Sequence, residues 1–153
     1  MRKIEFKKIK VQNFLCFGEQ GIEIDFNNYG SVVVVTGKNL DVKDGDLNSS
    51  NGSGKSSIMD ALLYGLFGKT LKNPKKIGVK DVINNKTNKK MLIEIYFDNV
   101  KIIRSRKPDG LKLWRSNDGV YDETTELTRG EIKQTQDMIE SILGCLLYTS
   151  PSP

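Results

Sequence analysis

The residues best placed to do chemistry are Asn51-Gly52-Ser53-Gly54-Lys55-Ser56-Ser57. Small residues let successive backbone N–H groups turn inward on an anion, and a lysine and a hydroxyl at the start of a helix complete a phosphate-binding loop. On that pattern the N–H groups from Gly52 to Ser56 cradle a polyphosphate and Lys55 reaches its β- and γ-phosphates. Ser56 ligates Mg²⁺, and Ser57 adds a further phosphate contact. A Gly/Ser linker that happens to hold a lysine has the same composition. A linker, however, needs neither a buried strand before it nor a helix after it.

The pattern is broken in one place. The spacing G-x-x-x-x-G-K-[ST] asks for glycine where the chain has Ser49, while Gly37-Lys38-Asn39 stands upstream as a possible first half. An insertion over 40–50 would split one loop in two. Asn39 and Asn51 then compete for a single asparagine position, and either Gly37 or Ser49 begins the cradle. Asp41, Asp44 and Asp46 around Gly45 suggest calcium. Lys43 stands where the second acidic ligand belongs and Gly52 where the closing glutamate belongs, so an EF-hand is excluded and a solvated excursion is expected.

Several elements must position this loop. Val32 to Val35 is an unbroken apolar run and is expected to be a strand buried on both faces of a parallel sheet. Lys55 to Phe67 is expected to be a helix, apolar over most of its circumference and closed by Gly68. Upstream, Lys3 to Val11 and Gly21 to Phe26 alternate as strands, with a change of phase at Lys7-Lys8 that calls for a bulge or a bend. Downstream, Met91, Ile93, Ile95 and Phe97 alternate with Leu92, Glu94 and Tyr96. Turns at Asp98-Asn99 and Pro108-Asp109-Gly110 make the stretch to Arg115 an antiparallel meander. Thr128-Arg129-Gly130-Glu131 reads as a capping box opening a helix with its apolar stripe at Ile132, Thr135, Ile139, Ile142 and Leu143, ended by Gly144. The class is therefore α/β: a mixed sheet around the phosphate-loop helix, a β-meander and a following helix.

The chain has 153 residues, 37% hydrophobic and 28% charged, which is one domain of ordinary globular composition. Met1-Arg2-Lys3 leads into alternating charges and not a signal peptide, and no apolar run approaches a membrane span. A cytoplasmic setting without membrane contact is expected. Cys16 and Cys145 make no disulfide framework, and with no histidine any catalysis must use carboxylates, lysine and metal-bound water. The net charge of +5 is compatible with a nucleic-acid partner without establishing one.

In this order the chain resembles the N-terminal half of the ATPase head of SbcC-type double-strand-break repair proteins, relatives of the SMC proteins. More narrowly it is similar to the ATPase subunits of tailed-phage recombination endonucleases. The likeness runs from Lys3 to Gly144. It is carried by Ile9-Lys10-Val11-Gln12-Asn13-Phe14, Asn51 to Ser57, Gly65-Leu66-Phe67-Gly68-Lys69, Val82 to Lys90, and Ile103-Arg104-Ser105-Arg106-Lys107-Pro108. The phosphate loop is shared by many ATPases, whereas Val82 to Pro108 points to this family. The resemblance implies a P-loop NTPase of ABC-ATPase type, N-terminal lobe only, occupying residues 1–144. The last nine residues, Cys145 to Pro153, resemble a translated sequencing adapter and are expected to lie outside the fold.

The resemblance also implies ATP and Mg²⁺ held by Gly37, Lys38, Asn39 and Asn51 to Ser57, with Ser56 on the metal. It implies a second copy as head partner, an SbcD-type nuclease subunit, double-stranded DNA, and a phage-encoded protein working in a bacterial cytoplasm. Where many relatives carry a basic residue after the first-strand Asn-Phe, this chain has Leu15, so that contact is expected to be missing. The Q-loop glutamine, signature motif and catalytic glutamate lie downstream in the family, so the fragment is expected to bind nucleotide without turnover. Lys72, Lys75, Lys76, Lys89 and Lys90 are the candidate DNA contacts, and a solvated lysine-rich surface is the plain alternative. Competing readings are an SMC- or RecF-like clamp ATPase without a nuclease partner and a P-loop small-molecule kinase. The kinase would continue with alternating helices and parallel strands, not a meander.

Overall fold

The structure, a computed structural model, describes residues 4–30, 32–36, 54–71 and 82–144. Its strands are β1 (Phe6–Gln12), β2 (Ile22–Asp25), β3 (Met91–Phe97), β4 (Val100–Arg106) and β5 (Gly110–Arg115), and its helices are α1 (Lys55–Phe67) and α2 (Ile132–Leu143). The strands form one five-stranded sheet in the order β2-β1-β3-β4-β5, and every neighbouring pair is antiparallel. The meander is thus continuous with the first two strands.

Register follows from the alternation. Ile24, Ile9, Ile95, Ile102 and Leu113 stand opposite one another in a row across all the strands. A one-residue slip in any strand would turn its apolar set to the other face, so this row fixes the pairing. Ile9, Ile93, Ile95, Ile102 and Leu113 have no exposed surface at all. The phase change at Lys7-Lys8 is a bulge: pairing with β3 moves from Phe6 with Phe97 to Lys8 with Tyr96.

Helix α1 crosses the apolar face. Ala61, Tyr64 and Leu66 are buried against it. Gly65 permits the close approach, since a Cβ there would lie 2.4 Å from Ile95 Cδ1 and 2.9 Å from Ile93 Cγ2. Gly68 closes the helix in the left-handed region (φ 68°) and donates its N–H to the Tyr64 carbonyl.

Two expectations fail, each for a physical reason. Val32 to Val35 forms no strand: Val32 is 84% and Val34 80% exposed. A strand buried on both faces needs hydrogen-bonded neighbours and a covering layer on each side, and among the described residues nothing pairs with this run. Nor does the capping box form. Leu127 N–H donates to the Leu113 carbonyl and Leu113 N–H to Thr128 Oγ1, which ties 127–128 alongside β5. The helix therefore begins at Ile132, with Glu131 as an N-cap that makes no side-chain bond, and Ile132 is exposed. Thr135 Oγ1 accepts from Arg129 N–H at 2.9 Å, which fastens the segment before the helix to its start. Thr135 and Ile139 are fully buried, and Gly144 ends the helix at φ 75° as expected.

Candidate nucleotide-phosphate site

The amino end of α1 is the centre of the candidate site. Gly54 is its N-cap, in the left-handed region (φ 86°), and Lys55, Ser56 and Ser57 form the first turn, with Ser57 N–H donating to the Gly54 carbonyl. Among the described residues no side chain caps this terminus, and no acidic residue lies in its first turn. The first-turn N–H groups and the partial positive charge of a helix amino end favour an anion there. Ser56 is exposed and Lys55 half-buried.

A second element is built against Gly54. Beyond β1 the chain turns sharply through Asn13 (φ 53°) and Leu15 (φ 48°), a conformation that costs energy in residues with a Cβ and needs neighbours to hold it. Those neighbours come from residues 82–90. Leu15 N–H donates to the Val82 carbonyl, Asn84 N–H to the Asn13 carbonyl, and Asn84 Nδ2 to the Leu15 carbonyl at 2.7 Å. Asn84 Oδ1 accepts from Lys86 and Thr87 N–H, and Asn13 Nδ2 donates to the Lys90 carbonyl. Phe14, fully buried, bridges to Ile83, and its ring lies tilted against that of Tyr64 of α1 with centroids 5.6 Å apart. The turn so held puts Cys16 and Phe17 against Gly54: a Cβ there would meet Cys16 Sγ at 2.8 Å and Phe17 Cε1 at 3.7 Å. Glycine is required there for both backbone angle and space.

Beside Lys55 opens a groove of about 490 Å³ between α1, β2 and the valine run. Ile58, Met59 and Leu62 form one wall, and Ile24, Phe26 and Val33 to Val35 the other. Its lining explains why α1 is apolar around its circumference while only one side meets the sheet.

A family model for an AAA domain (AAA_23) matches residues 8–151. The chain belongs to this AAA-domain family. It is similar to exonuclease subunit 2 of Escherichia phage RB69, 31% identical over 124 residues, which is 78% of this chain and 19% of the relative. Exonuclease subunit 2 of Enterobacteria phage T4 is 29% identical over 113 residues, 71% of this chain and 17% of the relative. The chain thus spans about a fifth of the length of these curated relatives. Among solved structures, one from work on ATP-driven dimerization and DNA-stimulated activation of SMC ATPases superposes with a TM-score of 0.57 at 22% identity, covering 97% of this chain and 86% of that one. The Smc head domain of Pyrococcus furiosus with extended coiled coil, bound to the C-terminal domain of ScpA, gives 0.55 at 22% identity, covering 94% and 33%. The fold is that of the N-terminal region of an SMC-type ATPase head, an α/β P-loop NTPase.

Within this AAA domain the site residues read from sequence divide in two. Gly54, Lys55, Ser56 and Ser57 sit together at the helix terminus, while Gly37, Lys38, Asn39, Asn51, Gly52 and Ser53 lie outside the described residues, as do the 40–50 insertion and the tail. Of the lysines considered for DNA, Lys72, Lys75 and Lys76 also lie outside. Lys89 and Lys90 are exposed, and Lys89 Nζ is 2.8 Å from Glu19 Oε1. Sequence reasoning missed Cys16 and Phe17 as neighbours of Gly54. Their approach depends on left-handed angles at Asn13 and Leu15, for which the only sequence cue was the asparagine. Among the described residues no helix is long and apolar enough to cross a membrane.

Proposed function

We propose that this chain is the nucleotide-binding lobe of an ATPase acting on DNA, holding ATP and Mg²⁺ at the amino end of α1. The observation that carries this reading is the left-handed Gly54 followed by Lys55-Ser56-Ser57 at the start of α1, with no acidic residue in the first turn, in a chain of the AAA family with an SMC-head fold. The donor set suits a triphosphate: Lys55 and the first-turn N–H groups supply positive charge to phosphate oxygens, and the exposed Ser56 hydroxyl is placed to ligate Mg²⁺. When bound, the metal would neutralise phosphate charge. The chain's own contribution is positioning and electrostatics. Gly37, Lys38, Asn39, Asn51, Gly52 and Ser53 would complete the cradle, with residues 40–50 as an excursion from it. Residues 1–144 would form the lobe and 145–153 would lie outside it.

In the full-length protein this lobe would pair with a second copy, and ATP hydrolysis would drive repair or recombination of broken double-stranded DNA together with a nuclease subunit. The general base would come from outside this lobe. The two phage relatives are named as exonuclease subunits, which favours a nuclease partner over a clamp ATPase without one. The work site would be the cytoplasm of the host. Lys72, Lys75, Lys76, Lys89 and Lys90 would contact DNA phosphates, and their replacement should flatten the salt dependence of duplex binding without changing sequence preference. The primary test is ATP-dependent association of the full-length protein, followed by light scattering. Wild type should pair on addition of Mg·ATP and Lys55→Ala should not. Pairing of Lys55→Ala at the same ATP concentration would overturn the reading.

A further inference from the structure

Arg104 is 7% exposed and forms no ion pair among the described residues. Its guanidinium instead reaches three neutral oxygens. Nε donates to the Gly65 carbonyl at 3.0 Å, and Nη2 donates to the Leu66 carbonyl at 3.5 Å and to Gln136 Oε1 at 2.5 Å. Gln136 Nε2 in turn donates to the same Leu66 carbonyl at 2.9 Å and to Glu140 Oε1. Gly68 makes room for the group, since a Cβ there would stand 3.3 Å from Arg104 Nη1. Burial pulls the Arg104 guanidinium down to about 10, the nearby Tyr64 opposing.

The two carbonyls lie in the last turn of α1, where intrahelical partners run out. The other end of that 13-residue helix, roughly 20 Å away, is the phosphate site. A cation at the carboxyl end complements the helix dipole, and so does an anion at the amino end. Gln136 is on α2, so Arg104 and Gln136 together join three elements: β4, the far end of α1, and α2. A cap alone would need no second helix, and burying a guanidinium with no carboxylate in direct contact is costly; Glu140 attracts it only from beyond Gln136.

We propose that Arg104 and Gln136 are positioning residues for the nucleotide site, holding α1 by its terminal carbonyls and tying it to α2 so that occupation of the phosphate end is registered as added order in α2. This rests on the reading of α1 as the nucleotide helix. The guanidinium fork and the glutamine amide share the Leu66 carbonyl, so a shift of α1 along its axis displaces acceptors for both at once.

The test is hydrogen exchange of the full-length protein with and without Mg·ATP, with ATP binding measured in parallel by calorimetry. In wild type, exchange of amides in residues 132–143 should slow by about fivefold or more on binding. Gln136→Leu leaves every phosphate-binding residue in place and keeps Arg104 on α1. In it, α1 should still slow while the effect on α2 falls below about twofold. Gln136→Met, closer in length, controls for packing and should behave the same way. Arg104→Lys keeps the charge but loses the fork, and should reduce the effect on α2 without abolishing ATP binding. If wild type binds ATP with no change in α2, or if Gln136→Leu and Gln136→Met keep the full effect, the coupling is overturned while the nucleotide reading stands. If wild type binds no ATP, both are overturned.

Discussion

Replacing Gly65 by alanine probes the contact that sets α1 on the sheet. The added methyl would lie 2.4 Å from Ile95 Cδ1, 2.9 Å from Ile93 Cγ2 and 3.3 Å from Ile95 Cγ1, all in a fully buried layer. Overpacking of this kind costs about 1–3 kcal/mol, and the short distances put this case near the upper end. Alanine at a helix interior recovers about 1 kcal/mol relative to glycine, so the net loss should be about 2 kcal/mol. Ile95→Val removes the most obstructing atom and alone should cost about 1 kcal/mol. If the two effects were independent they would sum to about 3 kcal/mol. With Cδ1 absent the worst overlap is relieved while Ile93 Cγ2 at 2.9 Å remains, so the double variant should lose about 2 kcal/mol, a coupling of about 1 kcal/mol. Urea denaturation of the four chains supplies the cycle. Additivity within about 0.5 kcal/mol would refute the packing of Gly65 on Ile95.

Other outcomes follow from the same geometry. Asn84→Ala removes a donor from the Leu15 carbonyl and an acceptor from Lys86 and Thr87 N–H, and should cost about 2–3 kcal/mol, lowering the melting temperature in calorimetry by about 5–10 °C. Gly54→Ala must carry a Cβ at φ 86° and 2.8 Å from Cys16 Sγ, so it should weaken ATP binding by tenfold or so in a fluorescent-analogue titration, and Cys16→Ala added to it should restore only the part due to crowding. Lys10 and Lys8, at 2.7 and 3.2 Å, hold the Glu23 carboxyl below its ordinary value of 4.5. That contribution is present above pH 4.5 and lost as pH falls through the lowered value, so in acid titrations of stability Glu23→Gln should show a shallower decline than wild type below pH 4.5, the difference shrinking in high salt.

What the sequence revealed is what local pattern controls. The helix Lys55–Phe67, its glycine C-cap, the bulge at Lys7-Lys8 and the buried row of β3 each follow from spacing or from a single residue's conformational preference. The valine run shows the limit. Its residues favour a strand, but a strand exists only with partners, and none of the described residues supplies one. The capping box failed similarly: Thr128 has the right chemistry, yet β5 claims its hydroxyl through Leu113 N–H before a helix can use it. At the site, Lys55 and Ser56 were legible as a motif. Cys16 and Phe17 were not, because they reach Gly54 through hydrogen bonds to residues 82–90, far away in sequence.

In the proposed function the amino end of α1 would bind the phosphates of ATP through Lys55 and the backbone around it. Titration of a fluorescent ATP analogue into the full-length protein and its Lys55→Ala variant, with Mg²⁺ present, measures this directly. Loss of a charged phosphate contact should weaken binding by about tenfold or more. Equal affinity in the two proteins would contradict the account.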